Sequence, residues 1–128
     1  MSASREQALK VVLMLTGIIF IFGIYPLGKV WPAGWAWTPA QPELMQMILG
    51  VYATLGVFLL LASKNPLEHK SLLWFTVWSS AVHAGIMGVQ AIRDTSERGH
   101  LIGDVPALFI VAIAIAVLMP RGGAAQGT

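Results

Sequence analysis

His83 is the residue with the most chemistry to offer. It lies near the centre of the apolar segment 72–92, where an ionisable side chain is costly and seldom accidental. At about 100° per residue, a helix over this segment brings Thr76, His83, Met87, Gln90 and Asp94 into one stripe, with Ser79 and Ser80 on its flanks. On a helix over 44–62, Glu43, Gln46, Gly50 and Thr54 share a face by the same arithmetic. Glu43, Gln90, Arg93 and Asp94 then fall at one end of their helices, with Gln46 one turn in from Glu43. These positions predict a pocket rimmed by polar groups, floored by His83 and open to the outside. Glu43 and Arg93 are expected to pair at its rim.

Three chemistries suit such a pocket. A His followed by Met four residues later offers a metal two borderline-to-soft ligands. His83 and Met87 are therefore metal candidates, though no His-x-x-x-His or Glu-x-x-His accompanies them. A relay from His83 to Asp94 or Glu43 would carry protons, without any transporter repeat or broken helix to support it. A few polar groups converging between apolar walls suit a quinone-, sterol- or lipid-like ligand. Against all three stands a packing role, in which neutral His83 bonds a Ser, a Thr or a carbonyl of a neighbouring helix as polar glue. His69 and His100 read as loop residues on opposite sides, so neither completes a site with it.

Conventional enzyme motifs are missing: there is no Gly-x-Ser-x-Gly, no phosphate loop and no His-Glu-x-x-His. That excludes a soluble-type hydrolase. An intramembrane acid–base trio of Glu43, His83 and Asp94 is the one enzymatic reading left, and the pattern weighs against it. No cofactor is specified. With no cysteine in the chain, disulfides, thiolate metal sites and Cys nucleophiles are out.

The elements that must hold these residues are membrane spans. The chain has 128 residues, 56% of them hydrophobic and only 11% charged, more apolar surface than a soluble domain of this size can bury. A mean hydropathy of +0.72 points the same way. Charges and turn formers mark out four apolar segments, 11–27, 44–62, 72–92 and 105–119, against the roughly 17–25 residues that a span needs. All must be helical, because an open strand in hydrocarbon leaves backbone groups unpaired. Ser4 with Gln7 suggests a capping box for the first helix. Pro42 and Pro66 suit the first turns of the second and third helices, and Asp104 with Pro106 the start of the fourth. Only Ser63 and Lys64 separate the second helix from Asn65, so these two helices are expected to form a hairpin. Residues 1–120 make a single four-span domain, and the tail 121–128 has no periodicity and is expected to be disordered. The first segment resembles a signal peptide in its basic leader, but its run is too long and the site after Tyr25 too poor for cleavage.

Arg5, Lys10, Lys64, Lys70 and Arg121 lie on one side of these spans, and Lys29, Arg93 and Arg98 on the other. The positive-inside rule then places both termini in the cytoplasm, with Trp31, Trp35 and Trp37 in an outer interfacial belt and the third loop near Ser96 outside. The expected fold class is an all-α integral membrane four-helix bundle, up-down-up-down. A net charge of +2 without a basic stripe argues against nucleic acid as a partner. Rows of small residues, Ala81-Gly85-Gly88 on the third helix and Gly50-Ala53-Gly56 on the second, serve packing within the bundle, a homo-oligomer or a larger membrane complex equally well.

Several stretches also resemble a known family. Trp31-Pro32-Ala33-Gly34-Trp35, Asn65-Pro66-Leu67-Glu68-His69, His83 with Met87 and Gln90, and Gly99-His100-Leu101-Ile102-Gly103-Asp104-Val105-Pro106 resemble an uncharacterised family of small bacterial four-helix membrane proteins, over nearly the whole chain. The resemblance implies a multi-pass protein of the bacterial inner membrane, and no activity. A looser likeness to DoxX-like four-helix proteins rests on size and helix count alone. The reading from sequence is a small inner-membrane binding or accessory protein with an outward-facing pocket for an apolar or lipid-like ligand. A metal- or quinone-linked redox partner and a small transporter-like oligomer are its alternatives.

Overall fold

The structure, a computed structural model, describes residues 2–36 and 42–120. Every regular element among them is helical. Trp37, Thr38 and the tail 121–128 lie outside the described residues, and with them the third Trp of the expected belt and the expected disorder of the tail.

The first helix starts earlier than the capping box suggests. Helix α1 is Ala3–Ile18, and the Ser2 hydroxyl caps it by accepting the Arg5 backbone N–H at 3.2 Å. A π-helical turn, Ile19–Gly23, carries it into α2, Ile24–Val30, so the three pieces run as one apolar unit of 28 residues. A short helix α3, Pro32–Trp35, follows, with proline at its first position. Helix α4 is Pro42–Ala62. Pro66–His69 forms a 3₁₀ turn that opens α5, Lys70–Arg93, and the Asn65 side chain makes no capping bond there. Between α5 and α6, Asp104–Leu118, the chain is not a loop: Thr95–Ile102 is a 3₁₀ helix. Three of these units are long and apolar enough to cross a membrane: Ala3–Val30, Pro66–Arg93 and Thr95–Leu118. A shorter apolar helix covers Gln46–Ala62.

The helices pack as two pairs. Helix α4 lies against α1 and the π turn, while α5 lies against α6, and α1 joins the pairs through α6. Gly17 and Gly56 let α1 and α4 approach backbone to backbone, since a Cβ on either would sit 2.7 Å from the other's carbonyl oxygen. On the α5–α6 face Ala84 and Ala91 are fully buried. Gly50 and Gly85, from the small-residue rows read in the sequence, have open space around them instead. Helices α4 and α5, neighbours in sequence, pack mainly on other partners and not along each other. The short Ser63-Lys64 connection fixes their near ends but does not zip them together.

The core is densest where the chain ends meet. Leu9, Leu13, Leu59, Leu73, Ile115 and Met119 are buried there from four different helices. At the same end the Arg5 guanidinium donates to the carbonyls of Val117 at 2.5 Å and Met119 at 3.0 Å, satisfying acceptors that the last turn of α6 leaves open. Away from this end the two helix pairs leave space between them.

Candidate ligand-binding cavity

That space is a cavity of about 880 Å³. Its walls come from α1, the π turn, α2, α3, α4, α5 and α6, and most of them are aliphatic. Besides Thr16 on the α1 wall, polar side chains face it at two levels. Trp35, Gln90 and Asp104 lie toward the end where α3 and the 3₁₀ helix meet, and Tyr52 and His83 lie deeper on the wall between α4 and α5. A smaller cavity of about 440 Å³ is also bounded by Tyr52 and His83, together with Leu44, Ile48 and residues such as Phe75 and Ser79. The Tyr52–His83 pair is thus a partition shared by both spaces.

The partition is built from aromatic contacts and one hydrogen bond. The Tyr52 hydroxyl and His83 Nδ1 share that bond, and the two rings lie 5.4 Å apart. Phe20, in the π turn, meets the other edge of Tyr52 in a T-shaped contact at 5.0 Å and 85°. The extra residue of a π turn re-aims the side chains around it, and here Ile19, Phe20 and Ile24 all reach the cavity wall. His83 is half-buried and has found a phenol as its partner on the neighbouring helix, where the sequence suggested a Ser, a Thr or a carbonyl. Two of the stripe's hydroxyls turn inward on their own helix: Thr76 donates to the Leu72 carbonyl at 2.9 Å and Ser79 to that of Thr76 at 3.4 Å, while the buried Ser80 hydroxyl has no hydrogen-bond partner among the described residues.

The polar end has a buried charge cluster behind it. His100 is 0% exposed, Glu97 3% and Asp104 6%. In 3₁₀ geometry residues i and i+3 eclipse, and this sets Glu97 beside His100, with Glu97 Oε2 3.0 Å from the ring's Nε2. Nε2 also lies 3.0 Å from the Ala36 carbonyl, and Nδ1 lies 2.9 Å from Asp104 Oδ1, four residues on. Both ring nitrogens therefore face oxygen acceptors. A ring with one proton satisfies one side, and the other side then needs a second ring proton or a carboxyl proton. The His100 helix is held against α3 by backbone proximity: a Cβ on Gly99 would collide with the Ala33 carbonyl, and one on Gly103 with that of Gly34. Two of the stretches that carry the family resemblance, 31–35 and 99–106, are therefore one docked unit. The indole Nε1 of Trp35 is buried in this unit without a hydrogen-bond partner among the described residues.

Of the residues singled out in the sequence, His83, Met87 and Gln90 line the cavity. Glu43, Gln46, Arg93 and Asp94 are exposed and are not among its lining residues. No ion pair joins Glu43 to Arg93 among the described residues; Asp94 instead accepts from the Ser96 amide at 3.0 Å and hydroxyl at 2.7 Å. Those two bonds hold the exposed Asp94 carboxyl below the ordinary carboxylate range. Among the described residues no group of three or more His, Asp or Glu is arranged to hold a metal ion. Five members of this region are not site residues in the sequence reading: Tyr52 and Glu97 are not singled out there, Trp35 is given to the interfacial belt, His100 to a loop and Asp104 to a helix start. A signal existed for three of them, since Glu97, His100 and Asp104 are spaced i, i+3 and i+7.

Helical in every regular element of its described residues, with three units of membrane-crossing length and an apolar cavity between them, the chain has the build of a membrane protein. It belongs to DUF6632, a family of unknown function, whose family model matches residues 3–128. No curated protein and no solved structure matches it significantly.

Proposed function

We propose that this protein is a four-span helical bundle of the bacterial inner membrane, both termini cytoplasmic, which binds an amphiphilic, lipid-like molecule in the cavity between its helix pairs. The observation that carries the binding role is the cavity itself. Its volume of about 880 Å³ falls in the range of small-molecule sites, and its lining is aliphatic with a few converging polar groups.

The membrane arrangement has separate support. Phe22, Phe58, Trp78, Ile86 and Ile113 are all more than half exposed, an outward face suited to lipid. The Arg5 contacts bring the ends of the chain together, as an even number of crossings requires. Arg5, Lys10, Lys64 and Lys70 collect at that end, against Lys29, Arg93 and Arg98 at the other. The exposed apolar exterior also suits an accessory role within a larger membrane complex. Labelling of single cysteines tests the orientation: Lys64→Cys should react only from the cytoplasmic side and Ser96→Cys only from the opposite side, and the reverse pattern overturns it.

Native mass spectrometry of protein extracted gently in a neutral detergent tests the binding role. The expected spectrum shows one amphiphile per chain, retained at low activation energy. A chain free of any stoichiometric adduct, across extractions of increasing mildness, contradicts it.

A further inference from the structure

Resting on that reading, we infer that the cavity recognises amphiphiles by a carbonyl oxygen in the head, which accepts a hydrogen bond from the Trp35 indole N–H. The cavity is polarised along its length. Helix α6 lines it from Asp104 to Ala114, about 15 Å at 1.5 Å per residue. Trp35 and Gln90 stand at one end, while Val12, Leu15 and Ala114 line the other. A bound amphiphile therefore lays its tail toward the chain termini and brings its head to Trp35.

The donor at the head end lacks an acceptor. Trp35 Nε1 is shut off from solvent and has no hydrogen-bond partner among the described residues. A buried N–H left in that state is costly, and water does not reach this one to relieve it. Trp35 stands on the cavity wall, so an occupant of the cavity is placed to supply the missing acceptor. The ring is also held from behind. Trp35 ends α3, whose backbone is fixed against the 3₁₀ helix by the close approach of Gly99 and Gly103. Within α3 the Trp31 ring packs on Gly34, where a Cβ would sit 2.8 Å from its Cε2. A donor fixed in this way gives up little freedom when a ligand binds. Gln90, on α5 at the same end, offers amide N–H groups for the oxygen's second lone pair. A carbonyl matches this pair. It takes up to two hydrogen bonds and brings no donor that needs a partner of its own, so a ketone, quinone or ester head fits.

Two reporters separate occupancy from the head contact. Full-length protein, isotope-labelled at its indole N–H groups and methionine methyls, is titrated by NMR in uncharged maltoside micelles. The probes are tridecane, methyl undecyl ketone and methyl dodecanoate, one bare chain and two with a carbonyl. The methyl of Met87, which lines the cavity, reads occupancy, and the Trp35 indole proton reads the head contact. Phe variants of the other tryptophans assign the indole signals, so this reading leaves Trp35 itself unchanged. All three probes should move the Met87 methyl. Both carbonyl probes should also shift the Trp35 indole proton downfield, as a new hydrogen bond does, and tridecane should not. Trp35→Phe should weaken both carbonyl probes about fivefold and leave tridecane within about twofold. Tighter binding of the ester points to an ester-linked lipid and of the ketone to a quinone-like head, and either supports the inference. A carbonyl probe that moves the Met87 methyl but leaves the indole proton where tridecane leaves it overturns the inference, with the binding role standing. So does a Trp35→Phe chain that binds the carbonyl probes as tightly as the parent. Failure of all three probes to move the Met87 methyl overturns the binding role itself.

Discussion

Tyr52 and His83 share a hydrogen bond across the gap between α4 and α5, two helices that otherwise pack mainly on other partners. The bond joins the two helix pairs at mid-depth and closes one wall of the larger cavity. If it is what ties the pairs together, removing either partner should cost about 1 kcal/mol, the usual worth of an interhelical bond in a membrane protein. Tyr52→Phe and His83→Leu should each lower stability, and the double variant should cost little more than either alone. Unfolding in mixed micelles gives the cycle. Strictly additive losses would show that the bond contributes nothing of its own.

The glycines should divide sharply. A Cβ on Gly103 runs into the Gly34 backbone, which cannot swing aside as a side-chain tip can. Gly103→Ala should therefore cost about 2–3 kcal/mol and loosen the 3₁₀ helix from α3. Gly50 has nothing within 4 Å, so Gly50→Ala should be neutral or stabilise α4 by up to about 1 kcal/mol through helix propensity. Thermal unfolding of the two variants side by side gives the comparison, and equal effects would contradict the packing described.

Much of this architecture is legible in the sequence, for definite reasons. Long apolar runs and the prolines at 42, 66 and 106 place the helices, because hydrocarbon length and missing N–H groups act locally. His83 stands out because polarity inside an apolar run is visible in one dimension. Tyr52 does not stand out, since a tyrosine among Val51, Ala53 and Leu55 reads as another packing residue until α5 supplies its partner. The parting of α4 and α5 depends on which helix each prefers, and that is set by the Gly17–Gly56 contact between distant segments. His100 was hidden differently. The stretch 95–102 is polar enough to read as a loop, yet eclipsed 3₁₀ geometry and two glycines bury it against α3.

Removing the imidazole should be the most damaging single change. His100→Leu leaves Glu97 and Asp104 buried without the donor between them, a loss of about 3–5 kcal/mol by analogy with broken buried pairs. His100→Gln keeps a donor and should recover part of it. Melting temperatures in detergent rank the three chains. A His100→Leu protein as stable as the parent would mean that the cluster does not hold the 3₁₀ helix in place.

Acid should weaken the α5 terminus through Asp94. Its folded-state pKa lies below the ordinary value of 3.8 because Ser96 bonds the carboxylate. The stabilisation it brings is therefore present above 3.8 and is lost as pH falls through the lower folded value. Hydrogen exchange of the Ser96 amide checks this. The difference between the parent and Asp94→Ala should be clear at neutral pH and vanish well on the acid side of 3.8, and a difference that persists or grows there would contradict the assignment.

If the space between the helix pairs is a binding site and not a packing fault, closing it must expel the ligand. Filling it tests this most directly. Ala107→Trp combined with Ala114→Phe places bulk on the α6 wall of the cavity, and native mass spectrometry of parent and filled chains, extracted in parallel, reads occupancy. The parent should carry one amphiphile per chain, and the filled variant should lose it while keeping its melting temperature or raising it, as cavity filling does. A filled variant that still carries the adduct at parental occupancy would place the ligand elsewhere and contradict the account.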